Sequence, residues 1–279
     1  MSETVWTNTL GDGDWNNNSN WSNQKPDQTH YPGILDGRAS PPTQNLDRSA
    51  DTVFRLIFTE NYSGGIGGPS TPLKFNAIPG ATSKPALNVR GTGAFYFEMV
   101  SGGLGDAIID NPLANVTLDD ETQGLFIKSG DVTIPATGTV GDICIVVGIN
   151  SKLTIGSGAS VPTATYVMGG KVVCNADYPV GTTSVLMVGG TFDMTGLFDS
   201  GTTIVTVGGG LTYRTQSDTS AKHTPIIALD GHFDARQLVT MMGANNRIIQ
   251  AGTGFILGPV QTSSGQLADY NLREDYPGN

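Results

Sequence analysis

Between Leu125 and Leu257 one ten-residue phrase recurs seven times. It has four residues, mostly apolar, then a turn-forming pair, one free position and an apolar–free–apolar ending. It reads LFIKSGDVTI from Leu125, VVGINSKLTI from Val146, TYVMGGKVVC from Thr165 and VLMVGGTFDM from Val185. It continues as IVTVGGGLTY from Ile204, IIALDGHFDA from Ile226 and IIQAGTGFIL from Ile248. The starts are separated by 21, 19, 20, 19, 22 and 22 residues. A unit this short cannot bury its own apolar face, so the copies must stack on one another. The period fits one coil of a β-solenoid.

The ending of the phrase alternates with a period of two: Val132/Ile134, Leu153/Ile155, Val172/Cys174, Phe192/Met194, Leu211/Tyr213, Phe233/Ala235 and Phe255/Leu257. These residues are expected to face the core. The central pair, most often Gly-Gly, tolerates positive φ and supplies the corner between two short strands. The first strand is apolar on both faces, which predicts cover on both. Its second and fourth positions are expected inward. Leu125, Ile127, Val185, Met187, Ile204 and Ile226 are then expected outward, as the contact stripe of an oligomer.

Composition narrows the partners. Gly 38 and 14% charged residues describe a turn-rich β protein rather than a helical one. A net charge of −10 disfavours nucleic acid and anionic membrane surfaces. The opening MSETVWTNTLGDGD has neither a basic nor an apolar region of a signal peptide, which leads to an expectation of assembly in a host cytoplasm. Cys144 and Cys174 fall in different columns of the repeat and are expected as buried thiols rather than a disulfide.

Residues 1–50 are polar, with Trp6, Trp15 and Trp21 set among Gly, Asp and Asn. The piece GDGDWNNNSNWS, Gly11 to Ser22, resembles the W…GDGxW…xNW opening of bacterial and phage β-helical surface proteins, including autotransporter-like passengers. In those proteins a proline, an aspartate and an apolar strand follow. Pro26 and DTVFRLIF, Asp51 to Phe58, stand in those places, after a longer loop from Asn23 to Ala50. The resemblance implies a β-helix capped by the three tryptophans, and it carries over no catalytic residue.

Residues 51 to 123 read as irregular early coils. DTVFRLIF, LKFNAI, ALNV, AFYFEMV and NVTL are strand-like, and FEMVSGGLGD reads as a degenerate copy of the phrase. After Leu257 the period stops. The tail, with Tyr270 and Tyr276, reads as an arm laid on a neighbour.

Candidate chemistry is sparse. Asp193 and Asp234 occupy one outward column two coils apart, roughly 9.6 Å at the usual strand spacing. That separation lies near the upper end for an inverting glycosidase pair. His232 alternates with Asp234 and with Asp230, so the three share a strand face suited to proton transfer or metal binding. The competing reading is a solvated outer face. Asp12 and Asp14 offer oxygen ligands for a divalent cation, although an Asp-Gly turn accounts for them equally well. No phosphate-loop motif occurs.

The sequence therefore predicts an all-β, single-stranded β-solenoid, expected as a right-handed β-helix. An N-terminal arm and tryptophan cap would span 1–50, the solenoid 51–258 and a C-terminal arm 259–279. The expected function is structural: a phage virion protein of capsid-decorating or head-fibre type, a homotrimer gripping the major capsid protein or other virion proteins. The alternative is a tailspike-like protein that binds or cleaves a host surface glycan. No cofactor is expected.

Overall fold

The computed structural model describes residues 2–27, 30–52, 55–76, 86–99, 106–119, 124–139, 143–177, 184–196, 203–213, 217–218, 226–229, 232–234, 240–241, 248–251, 255–257, 259–261 and 267–269. Side chains are described as far as Thr212, except at 31, 49–52, 76, 184 and 203–207. The chain is a β-solenoid of parallel strands. It divides into two compact units, Met1–Asp142 and Ile143–Asn279.

In unit 1 each coil contributes to two ladders. The first runs through Ser2–Val5, His30–Leu35, Leu56–Phe58 and Leu87–Val89 into the beginnings of Ala107–Asp119 and Gly124–Ile134. The second runs through Asp47–Thr52, Leu73–Asn76 and Gly93–Met99 into the later parts of those two long strands. The coil thus begins at Ser2. The boundary expected at 50 falls inside the strand Asp47–Thr52. The coils before residue 51 were hidden because two of their inward positions are not apolar letters. Thr4 is fully buried, and Gly33 is buried where a Cβ would meet Pro26 and Leu56.

A second correction concerns FEMVSGGLGD. Phe97 pairs with Leu73 on one side and Leu118 on the other, so FEM ends a second-ladder strand. The missed coil is AIIDNPLANVTL, whose Ala107 and Ile109 pair with Leu125 and Ile127. Four residues, Asn111 to Ala114, separate Asp110 from Asn115, where the next coil has Gly130 alone between Ser129 and Asp131. That longer corner breaks the ten-residue phrase and holds Leu113 out at 72% exposure.

The core of unit 1 is aromatic. Phe58 meets Tyr62, Phe95 and Phe97 at centroid distances of 5.2, 5.3 and 5.4 Å, mostly edge to face, and Phe97 meets Phe75 at 6.2 Å. Edge-to-face packing sets positive ring edges on negative faces. The Tyr62 hydroxyl donates to the Gly65 carbonyl at 2.7 Å. Burial pushes its pKa up.

Unit 2 is more regular. Its first ladder stacks Ile143–Val147, Ala164–Met168, Ser184–Val188, Thr203–Val207, Ile226–Leu229 and Ile248–Ala251. Its second stacks Ser151–Ile155, Lys171–Cys174, Thr191–Met194, Gly210–Tyr213, His232–Asp234 and Phe255–Leu257. Leu153, Ile155, Val172, Cys174, Phe192, Met194 and Leu211 are all buried in columns, as the alternation predicted. Cys144 lies in the first ladder and Cys174 in the second. Both are free buried thiols.

The Gly-Gly corners divide their work. The first glycine takes positive φ: +94° at Gly169, +73° at Gly189 and +65° at Gly208. The second has no room for a side chain. A Cβ on Gly190 would stand 2.7 Å from the Gly170 carbonyl oxygen, and one on Gly209 2.9 Å from that of Gly190.

Two coils depart from the phrase. Val146 pairs with Val167 and Cys144 with Thr165, so the second copy of the phrase begins at Cys144 and its corner is two residues longer. Ile149 on that corner is 89% exposed. At the far end Phe233 pairs with Ile256, not with Phe255. A slip of one residue exchanges the two faces of a strand. Beyond the ladders, Pro259–Gln261 and Leu267–Asp269 form an antiparallel pair. Tyr270 and Tyr276 lie outside the described residues.

Candidate functional site

The doubly apolar first strand is the natural place to look for a contact surface, and the structure reverses its faces. Leu125, Ile127, Val185 and Met187 are at most 1% exposed, in the core rather than on the outside. Ile204 and Ile226 share the backbone register of Val185. Their side chains lie outside the described residues. The outward positions are the second and fourth. In unit 1 Phe126 is half-buried; in unit 2 Tyr166 and Leu186 are half-buried, while Met168 and Val188 are exposed.

The corner explains the reversal. Counting back from the inward Val172, Gly170 is also buried. Alternation carried straight on would put Met168 inside. Gly169, at positive φ, takes one residue out of the alternation, and Val167 faces the core instead. The same step occurs at Gly189, between exposed Val188 and buried Gly190. One residue at a bend inverts everything before it.

The outer face that results is uncharged. Ile143, Val147, Met168 and Val188 are exposed, and Ile145, Tyr166 and Leu186 lie half-buried between them. The register aligns Ile145, Tyr166, Leu186 and Val205 in one column. It aligns Val147 with Met168, and Val188 with Val207, in the next. Adjacent strands repeat at about 4.8 Å, so the apolar groups form rows with even spacing. Among the described residues this face, rather than the one read from the sequence, carries exposed apolar side chains of the unit 2 ladders.

The N-terminal motif builds a closed loop. Trp6, Trp15 and Trp21 are buried against one another, with centroids 6.3, 5.1 and 4.8 Å apart. Rings buried this deeply are not available to stack on a sugar. Trp6 Nε1 donates to the Ser40 carbonyl at 2.7 Å and Trp21 Nε1 to that of Trp15 at 2.9 Å. Asn20, which the sequence reading passed over, is the hub. Its buried amide donates to the Asp12 carboxylate and the Asp14 carbonyl, and its Oδ1 accepts from the Leu10 amide. The signal was present in the run WNNNSNW, since an asparagine among tight turns serves local backbone groups.

The two candidate cation ligands are engaged in the same loop. Asp12 accepts from the Asp14 amide at 3.0 Å and Asp14 from the Asn16 amide at 2.8 Å, the geometry of Asx turns. The Asp14 amide, then the Asn20 side chain, hold the Asp12 carboxyl below the usual carboxylate range. Among the described residues no group of three or more His, Cys, Asp or Glu is placed to hold a metal ion. Among them too, no helix is long and apolar enough to cross a membrane.

The carboxylate column lies in the predicted backbone register: Asp193 pairs with Thr212, and Thr212 with Asp234. Asp193 is half-buried, with an oxygen 3.4 Å from the Lys171 ammonium. The side chains of His232 and Asp234 lie outside the described residues, as does Asp230. The burial of Cys144 and Cys174 pushes both thiols up to about 12, far from the range of a nucleophilic cysteine. No family model, curated protein or solved structure matches the chain.

Proposed function

We propose that the chain is a structural assembly protein: a phage virion component of capsid-decorating or head-fibre type, acting as a homotrimer through the outer face of the first ladder in unit 2. The observation that carries this reading is the exposed, uncharged face of Ile143, Val147, Met168 and Val188. Exposed apolar surface gathered into rows marks a contact rather than solvated surface. A second copy suits it on charge. Each chain carries −10, and an uncharged face is where two such chains repel least. A second copy also offers rows at the same strand spacing, so side chains of one can settle between those of the other. The likeness of the tryptophan-bearing opening to phage and bacterial surface proteins supports the virion setting. Anchoring to the major capsid protein or another virion protein would leave the coils standing outward.

Sedimentation of the purified protein and immunogold labelling of particles test the two halves of the proposal. The expected results are a trimer at micromolar concentration and label on the particle surface. Met168→Asp with Val188→Asp should give monomers whose β circular dichroism is unchanged. A monomeric parent chain overturns the assembly. Release of reducing ends from host polysaccharide, lost in Asp193→Asn, would favour glycan cleavage instead.

A further inference from the structure

A strand at the end of a ladder offers unpaired N–H and C=O groups to other chains, and natural sheets cover such edges. Ser2–Val5 begins the first ladder of unit 1 and pairs with His30–Leu35 on one side. Its other side is occupied by the chain's own loop. Asn23 Nδ2 donates to the Glu3 carbonyl at 2.6 Å, and the Val5 amide donates to Ser22 Oγ at 2.9 Å. The Ser22 amide donates to the Val5 carbonyl at 2.8 Å, and the Thr7 amide to the Asn20 carbonyl at 2.8 Å. Trp6 and Trp21 form an antiparallel bridge. Asn20 to Asn23 therefore lie along the edge as an antiparallel strand would.

The loop is strained where it leaves the edge. Gln24 has φ +142°, a region that residues with a Cβ rarely adopt and that costs energy to hold. Its carbonyl accepts from the buried Thr4 hydroxyl at 2.6 Å. Ser22, Asn23 and Gln24 are exposed, whereas Asn20 and Trp21 are buried. Two of the bonds along the edge come from the side chains of Ser22 and Asn23, where a ladder would use backbone. The outer part of the loop can thus be weakened without emptying the tryptophan cluster.

We propose that Asn20 to Asn23 act as an edge guard, masking a self-complementary edge at which a second copy of this chain would otherwise pair. The edge presents the Glu3 carbonyl, the Val5 amide and carbonyl, and the Thr7 amide. About a twofold axis at Val5, the two Val5 residues would exchange both bonds, as opposed residues of an antiparallel pair do. Each Glu3 carbonyl would then meet the Thr7 amide of the other copy. Glu3 would stand opposite Thr7 rather than another Glu3, so like charges do not oppose the contact. An isologous contact closes on itself, so the unguarded chain would double and stop. The proposal is independent of the trimer reading, because whatever species the parent forms would double.

Sedimentation at high micromolar concentration and amide exchange test it, with variants that push the guard in opposite directions. Ser22→Pro with Asn23→Ala removes the bonds to Glu3 and Val5. Trp21, at φ −123° and ψ 147°, already has the backbone that a following proline requires. This opened variant should exchange the Val5 amide about tenfold faster, the scale of one lost hydrogen bond, and sediment at twice the parent's mass. Gln24→Gly relieves the strain, so it should slow that exchange and keep the parent's mass. Adding Val5→Pro to the opened variant should restore the parent's mass, since it deletes the amide that the two copies exchange. Exchange in Leu87–Val89 should stay unchanged, which separates an opened guard from a lost coil; if it rises, Asn23→Ala alone carries the same two readouts. A fast Val5 amide without doubling overturns the proposal, because the bare edge would then not adhere. Unchanged Val5 exchange in the opened variant, or doubling that survives Val5→Pro, overturns it as well.

Discussion

Unit 1 fills its coils with rings, Phe58, Tyr62, Phe75, Phe95 and Phe97, that touch one another across and between coils. Among the described residues, unit 2 fills the same inward positions with Val146, Leu153, Val167, Val172, Val185 and Met187, two thiols and Phe192. The spacing differs with the filling. From Leu56 to its partner Leu87 the chain spends 31 residues, and from Val185 to Ile204 it spends 19. Aliphatic side chains of similar size stack in columns, so each coil can copy the last. Rings lock at particular angles. Their coils need individual corners and long excursions, and the repeat dissolves at the level of sequence while the ladder persists.

The sharpest way to break this comparison is to put a charge on each face of unit 2. Met187→Asp should unfold that unit, because an unpaired buried carboxylate costs several kcal/mol against a stability of about 5–15. Met168→Asp, at a half-exposed outward position, should leave the β circular dichroism intact. A folded Met187→Asp beside an unfolded Met168→Asp would mean that the faces are assigned the wrong way round.

Phe58→Ala should cost about 3–5 kcal/mol, the range for emptying a packed aromatic site. Phe58 touches three other rings, so the loss should also quicken amide exchange in Leu87–Val89 and Gly93–Met99. Val172→Ala, a smaller deletion in a column, should act mainly on its neighbours Leu153 and Phe192. Exchange confined to Leu56–Phe58 in the first variant would show that the rings do not couple the coils.

Alkali should find unit 2 first. Burial raises the thiols of Cys144 and Cys174 from 9.0 to about 12. Between those values an unfolded chain loses protons that the folded one keeps. The thiols therefore stabilise fully below pH 9 and lose that contribution as pH rises toward 12, by about 1 kcal/mol per pH unit each. Tyr62 adds the same trend in unit 1, beginning one unit higher at its ordinary 10.0. Alkylation that follows unfolding, rather than preceding it, is the expected readout; ready modification of the native protein at pH 8 would contradict the burial.

The smallest effects should come from the long corners. Ile149→Ser and Leu113→Ser change exposed positions outside both ladders and should shift stability by less than about 0.5 kcal/mol. A larger loss in either, measured by denaturant unfolding, would show that the corner is covered by something that holds the coil.

What the sequence determined by itself was the coil. The spacing of the phrase, the alternation at Phe192/Met194 and its counterparts, and the glycine corners are local, and each follows from strand periodicity and backbone freedom. The separation of Cys144 from Cys174 followed in the same way. Which face of the first strand lies inside was decided only in three dimensions, by a single positive-φ residue such as Gly169 that shifts the alternation by one. The coils before residue 51 were likewise invisible, because Thr4 and Gly33 occupy inward positions, and between residues 51 and 123 the corner at Asn111 to Ala114 breaks the phrase, so those coils could be read only as irregular. Side-chain chemistry is written locally, but the company it keeps is set by register.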